Sequence, residues 1–267
     1  MQIFPNDQDG IERLQSRLDR WLESVPKWHD HFVFSPNPEY YFTTPEKPLS
    51  ESKLALVSTA GVHLKTDTPF DVVSEYGDWS YREIPAETDP KALMISDTHY
   101  DHTDADEDIN CLFPITHLNE MRQAGEIGAL NDTFFGFMGF IPDTTELREK
   151  TAPEVADRLK ADGVEVAYMT PGCAMCHHTI AIIQSAIEKV GIATIAMTLK
   201  PEVSYFMNVP RAVYIRYPYG YSVGPAFEPD TQREIVQESL KLLYQIEKPG
   251  TIIKLPYRWR GSRNRGE

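Results

Sequence analysis

Hydrophobic positions recur with two periods along the chain. Ile11, Leu14, Leu18, Trp21 and Leu22 fall at helical spacing and predict an amphipathic helix near the start. Between Trp28 and Pro48 no period holds; prolines and aromatics crowd the stretch, which predicts an irregular arm wrapping its own body or a neighbouring subunit. From Lys53 onward short apolar runs alternate with helical patterns. Leu54–Ser58, Ala92–Ser96, Thr133–Phe137, Val164–Met169, Ala193–Thr198 and Ala212–Ile215 read as strands, several of them continuous as in sheets covered on both faces. Helices are predicted from a Thr144 or Thr145 cap through Arg148, from Ala152-Pro153 to Gly163, over Thr179–Val190, and over Asp230–Ile246 before Pro249-Gly250.

This alternation implies an α/β fold, a largely parallel sheet flanked by helices, with the helix and irregular arm in residues 1–50 and the α/β body in 51–267. No internal repeat or low-complexity linker divides the body. In such a sheet ligands sit at the carboxyl ends of strands. The residues just past each apolar run are therefore the candidates for a site.

After Val164–Met169 comes Thr170-Pro-Gly-Cys-Ala-Met-Cys-His-His-Thr179. Gly172 marks the turn, and Cys173 and Cys176 stand three apart where a helix begins. Unpaired N–H groups and the helix dipole at such a position favour a thiolate. In a Cys-x-x-Cys pair one sulfur can attack and the other can resolve the product as a disulfide. Two other readings stay open on the residues alone: a pair of small buried hydrophobes, and a metal site using the cysteines with His177 or His178. The match of Cys173 to His177 with the covalent haem pattern rests on only three fixed residues.

After Ala92–Ser96 comes Asp97-Thr-His-Tyr-Asp-His-Thr-Asp-Ala-Asp-Glu-Asp-Ile-Asn110. His99 and His102 could orient a substrate or support a thiolate, with Asp104 and Asp106 beside them. A solvated acidic loop is the plain alternative. A calcium loop fits badly: Asp104, Asp106 and Asp108 have the spacing, but Ile109 and Ile115 stand where glycine and glutamate are needed. After Leu54–Ser58 come Thr59, Gly61 and His63, a weak candidate for holding a carboxylate through backbone N–H groups.

Charge and cysteine usage narrow the class. Forty acidic residues against 26 basic ones give a formal charge of -14, which argues against nucleic acid and anionic membranes as partners. Only Arg258–Arg265 is locally basic. The acidic start lacks a secretory pattern and no run reaches membrane-spanning length, so a cytoplasmic location is expected. Three cysteines in 267 residues do not make a disulfide framework, and Cys111 reads as a core thiol.

Taken together, Val57-Ser-Thr-Ala-Gly-Val-His63, Asp104-Ala-Asp-Glu-Asp-Ile-Asn-Cys-Leu-Phe-Pro114, the cysteine turn and Gly224-Pro225 resemble the selenoprotein B family of the glycine, sarcosine, betaine and D-proline reductases. The likeness covers most of the chain after about residue 50, and the length is similar to that of the short D-proline reductase subunit. The resemblance implies reductive cleavage of a carbon–nitrogen bond in a small, carboxylate-bearing substrate. It places Cys173 at the selenocysteine position and Cys176 as resolving thiol; the positions of the residues themselves make His177 and His99 candidates to assist and Thr59, Gly61, His63, His102, Asp104, Asp106, Gly172 and Thr179 candidates to surround the substrate. No cofactor or metal is expected to be bound. A thioredoxin-like or other dithiol donor would re-reduce the pair, and a partner subunit or a second copy would complete the assembly. This chain departs from the pattern in carrying cysteine at both positions, so the helix dipole, His177 and His178 would have to lower a thiol pKa. It also supplies no pyruvoyl group of the kind that holds the substrate amine in the amino-acid reductases. A cofactor-independent two-cysteine racemase and a zinc-binding accessory subunit are the competing functions.

Overall fold

The computed structural model describes residues 2–25, 29 and 31–261; Trp28 and Asp30 of the predicted arm and the end of the basic tail lie outside them. In chain order the elements are β1 (Gln2–Ile3), α1 (Gln8–Ser24), β2 (Lys53–Ser58), β3 (Val62–Leu64), β4 (Tyr81–Pro85), β5 (Leu93–Ile95), α2 (Thr103–Glu107), α3 (Ile115–Gln123), β6 (Ala129–Leu130), β7 (Thr133–Phe137), α4 (Ala152–Ala161), β8 (Val166–Thr170), α5 (Cys176–Lys189), β9 (Ala193–Thr198), α6 (Pro201–Phe206), β10 (Arg211–Arg216), α7 (Pro229–Gln245) and β11 (Thr251–Arg258).

Nine strands form one sheet in the order β1-β11-β10-β9-β8-β2-β7-β4, with β6 beside β2. From β11 across to β7 every pairing is parallel, and β1 and β4 cap the two edges antiparallel. The expectation of a largely parallel sheet between helices holds. Side-chain alternation builds two cores. Leu54, Leu56, Tyr168, Ile195 and Val213 pack on α3 and α7, whereas Ala55, Val57, Ala167, Met169 and Ala196 pack on α1, α4, α5 and α6.

Helix α1 starts where the Asp7 carboxylate accepts the Gly10 N–H (2.7 Å), and it buries Leu14, Leu18 and Trp21. Helix α5 is buried almost all round, and of its 14 residues only Ala186 and Lys189 are not buried. The arm covers it. Asn37 donates to Ala181 O (2.9 Å), the Thr43 N–H meets the Glu188 carboxylate, and fully buried Arg211 donates to Thr43 O (2.5 Å) with Glu188 3.5 Å away. Between residues 31 and 48 the arm has no helix or strand, as predicted.

Two expectations change. The apolar run at 92–96 does form a strand, but β5 pairs antiparallel with β3 in a separate two-stranded sheet. The predicted break between Arg148 and Ala152 is instead a π-helical turn, Leu147–Thr151, which runs into α4. Pro153 has no N–H to give, and a widened turn accommodates that within a continuous helix. Its start is set by Asp143, whose Oδ1 accepts from the Thr145 N–H (3.0 Å) and hydroxyl (2.7 Å), rather than by a threonine cap.

The chain leaves β2, builds β7 on one side of it, and then crosses to β8 on the other. The carboxyl ends of β2 and β8 therefore lie side by side at a reversal of strand order, with Ser58 opposite Thr170. Among the described residues no helix is long and apolar enough to cross a membrane.

Candidate functional site

At that reversal Ser58 Oγ and the Thr59 N–H both donate to Thr170 O (3.0 Å each), locking the two strand ends. The chain then turns through Pro171-Gly172 and reaches the cysteines. Cys173 lies in the turn and Cys176 is the first residue of α5. The Cys173 N–H donates to Cys176 Sγ (2.7 Å) and the Cys176 N–H to Cys173 Sγ (3.1 Å). The Cys173 sulfur thus satisfies the first amide of α5, which a helix start leaves without an intrahelical partner, and the Cys176 sulfur satisfies an amide of the turn. Both thiols are free and fully buried.

Packing around the pair is tight. A Cβ on Gly139 would lie 2.1 Å from Cys176 Sγ, so only glycine lets the chain leaving β7 pass there. The Thr179 hydroxyl donates to Gly139 O (2.7 Å), and the Thr59 hydroxyl to Cys176 O (3.1 Å). Asp97, just past β5, is 2 % exposed, and its Oδ2 lies 4.0 Å from Cys176 Sγ. Its Oδ1 accepts from the His99 N–H (2.7 Å) and Nδ1 (3.0 Å). The His99 ring stacks on Phe140 (4.1 Å between centroids), where His29 of the arm also packs.

Over the turn lies Tyr100. Its hydroxyl donates to Ala60 O (2.7 Å), and its ring presses so closely that a Cβ on Gly172 would be 2.8 Å away. Beyond it opens a cleft of about 500 Å³ lined by Tyr100, Tyr219, Tyr221, Trp259 and Arg260.

The other predicted residues take different positions. His177 has both ring nitrogens committed: Nδ1 meets Cys173 O (2.7 Å) and Nε2 accepts the Leu199 N–H (2.9 Å). His178 points into the arm, where its Nε2 accepts the Ser35 N–H (3.2 Å) among Phe32 and Phe34. His63 bonds Leu64 O (2.7 Å) and Ser96 Oγ (2.8 Å), bracing the segment that leads to Asp97. The Gly61 N–H donates to Phe137 O (2.8 Å), so the amides of Thr59 and Gly61 are both spent inside the fold. Gly61 has a φ of 77°, and a Cβ there would strike Ser96 O at 2.5 Å. Its need is conformational.

The acidic segment is a fastening. Buried Asp104 accepts the Tyr221 hydroxyl (2.6 Å), and Asp108 Oδ2 accepts the Phe227 N–H (2.7 Å) and Gln232 Nε2 (2.8 Å). Cys111 is buried against Gly220 O (3.3 Å), as a core thiol should be. His102 pairs with exposed Asp106 (2.8 Å) on α2. The sequence pattern did not single out Asp97, Tyr100 or Gly139, whose importance comes from the β3–β5 pairing and the passage of residue 139 over α5.

Electrostatics run against the expected thiolate. Burial pushes the Cys173 thiol well above its ordinary range, and Cys176 and Asp97 push it further; only the Cys176 N–H acts the other way. The histidines supply no compensating charge: burial lowers His177 to about 4 and His178 to about 3. Desolvation of a closed site outweighs the amide bonds at the helix start. Tyr100 and Tyr219 are likewise held protonated, first by burial. Asp97 and the two cysteines also bring three ligand atoms within 4.8 Å of one another, a set that could hold a thiophilic cation.

Comparison with known proteins identifies the family of the chain. The family model for glycine/sarcosine/betaine reductase selenoprotein B matches residues 36–172. The chain is 38 % identical to D-proline reductase subunit gamma of Acetoanaerobium sticklandii over 254 residues, covering 95 % of this chain and 98 % of that one. It is 28 % identical over 244 residues to glycine reductase complex component B subunit gamma of Symbiobacterium thermophilum, covering 85 % of this chain and 53 % of that one. With betaine reductase complex component B subunit beta of Peptoclostridium acidaminophilum it shares 26 % identity, covering 87 % of this chain and 56 % of that one. The chain thus spans just over half the length of these glycine and betaine reductase relatives, but nearly all of the D-proline reductase subunit. No solved structure matches it. By the family match and the full-length likeness, the chain belongs to the glycine/sarcosine/betaine reductase selenoprotein B family.

Proposed function

We propose that this chain is the dithiol subunit of a reductase complex that cleaves a carbon–nitrogen bond in a small, carboxylate-bearing amino-acid-like substrate. The observation that carries this reading is the reciprocal N–H···S bonding of Cys173 and Cys176 at the strand-order reversal. It fixes two sulfurs where an α/β fold binds its ligands. The relatives, all named as subunits of reductases, support the class of chemistry and the need for partner subunits.

In the net reaction two thiols give two electrons and two protons. The C–N bond breaks, carbon and nitrogen each gain hydrogen, and the sulfurs join as a disulfide. An external dithiol then returns the pair to the reduced form. Cys173 attacks as thiolate and Cys176 resolves. The substrate enters by the aromatic cleft with Tyr100 swung aside, and Arg260 at its edge offers the carboxylate a charged partner that the spent amides of Thr59 and Gly61 do not. A partner subunit seated over the cleft supplies the group that holds the amine.

Mild oxidation followed by proteolysis and mass spectrometry tests the pair directly. Linkage of Cys173 to Cys176, with loss of D-proline reduction in Cys173→Ser when the partner subunits are present, is the expected result. Unimpaired turnover in both Cys173→Ser and Cys176→Ser would remove the mechanism. The Asp97, Cys173 and Cys176 cluster favours one competing reading, a structural cation site. Stoichiometric zinc in the protein as isolated, lost in Cys176→Ser, would favour it over the redox pair.

A further inference from the structure

We propose that Asp97 is the proton acceptor for Cys176 when Cys176 displaces an adduct from Cys173. This rests on the dithiol function proposed for the pair and assigns a role to a residue outside the Cys-x-x-Cys motif.

Asp97 is a carboxylate at 2 % exposure facing two buried thiols. Its Oδ1 is held by the backbone and ring of His99, which leaves Oδ2 turned to Cys176 Sγ at 4.0 Å. A small rotation of the thiol brings the two into hydrogen-bond contact, and contacts of this kind commonly tighten only when the reacting complex forms. The groups facing Asp97 are His99 and Tyr100 from its own segment, Cys173 from the turn before α5 and Cys176 from its first residue. Tyr219 is also close enough to interact electrostatically with Cys173, and His29 of the arm lies 5.6 Å from the His99 ring.

Charge then separates the two half-steps. A negative Asp97 disfavours the Cys173 thiolate, so it does not help the first attack. The second step has a different need. Cys176 has no solvent to take its proton, and buried thiol cannot attack at a useful rate. With a thiol-derived adduct R–S on Cys173, the Cys176 proton passes to Asp97 and its sulfur bonds to Cys173 Sγ. The bond from Cys173 to the adduct breaks with its electron pair on the departing sulfur. That sulfur then takes up a proton, so R–SH leaves and the pair stands oxidised. Atoms and electrons balance with no further reactant.

The test uses methyl methanethiosulfonate on the reduced full-length chain, with acid quench and mass spectrometry. The native protein is expected to carry a methylthio group on Cys173 briefly, then lose it as methanethiol and show the Cys173–Cys176 link. Asp97→Asn keeps an oxygen for the His99 N–H and removes the base. It should form the adduct at an equal or higher rate and resolve it about 100-fold more slowly. Unchanged resolution in Asp97→Asn, or equal slowing of both steps, would overturn the assignment. Failure of the native protein to form the link would instead sink the dithiol function itself. Asp97→Glu should recover part of the resolution rate, which a purely structural carboxylate would not require.

Discussion

Gly139 and Cys176 are in contact in a way that forbids any side chain at position 139: a Cβ would stand 2.1 Å from the sulfur, 2.6 Å from Thr59 O and 2.7 Å from Cys176 Cα. Two of these neighbours are backbone and cannot turn aside. Gly139→Ala should therefore cost about 1–3 kcal/mol of stability, as overpacking does. It should also displace the thiol from Asp97 and Cys173. Urea denaturation measures the first effect, and slower Cys173–Cys176 linking on mild oxidation measures the second.

Cys173 should be a poor nucleophile in the isolated, closed chain. Because burial holds its thiol protonated, alkylation by iodoacetamide at pH 7 is expected to be slower in the native protein than in the same protein in urea. The native rate should keep rising with pH past the ordinary thiol range. Equal rates in the two states would show that the site is open and the thiol unperturbed.

His177 and His178 make stability depend on pH with a definite sign. In the unfolded chain each takes a proton near 6.5; folded, His177 resists to about 4 and His178 to about 3. The unfolded state therefore binds more protons as pH falls. Stability is full above about 6.5 and is lost progressively toward 4, at up to about 1.4 kcal/mol per pH unit for each histidine. Urea midpoints between pH 7 and 5 should show this slope, and His178→Gln should reduce it by roughly half.

The arm should come loose when its buried ion pair is broken. Glu188 and Arg211 are fully buried 3.5 Å apart, and both reach Thr43 of the arm. Glu188→Ala leaves Arg211 charged and unpaired, at a cost of about 3–5 kcal/mol. Proteolytic cleavage between residues 31 and 48 should appear in this variant before the body is digested.

Much of this architecture was legible in the chain. Helices α1, α5 and α7 were marked by periodicity, and the strands β2, β7, β8, β9 and β10 of the main sheet by apolar runs. The cysteine turn stood out because two thiols come directly after Pro171-Gly172. The misses have physical causes. Strand β4, Tyr81-Arg-Glu-Ile-Pro85, is a polar edge strand, and β11 carries Lys254, Pro256 and Arg258, so neither shows a clean period. An apolar run like Leu93–Ile95 looks the same whether it joins the main sheet or a small hairpin-like pair. Asp97 was hidden among equivalent carboxylates, since its distinction depends on which one the fold aims at a sulfur. The histidines after Cys176 misled for the same reason. Their proximity in sequence to the thiols says nothing of which side of the helix they occupy.

The loop from Tyr217 to Phe227 is tied at one end to Asp104 and Asp108, and its Gly220 N–H donates to Gly172 O (3.0 Å). Its tyrosines form a wall of the aromatic cleft, while its backbone grips the peptide that enters Cys173. A wall of the cleft and the approach to Cys173 are therefore built on one piece of backbone, joined through the Gly220–Gly172 hydrogen bond, so a substitution in either is expected to be felt in both.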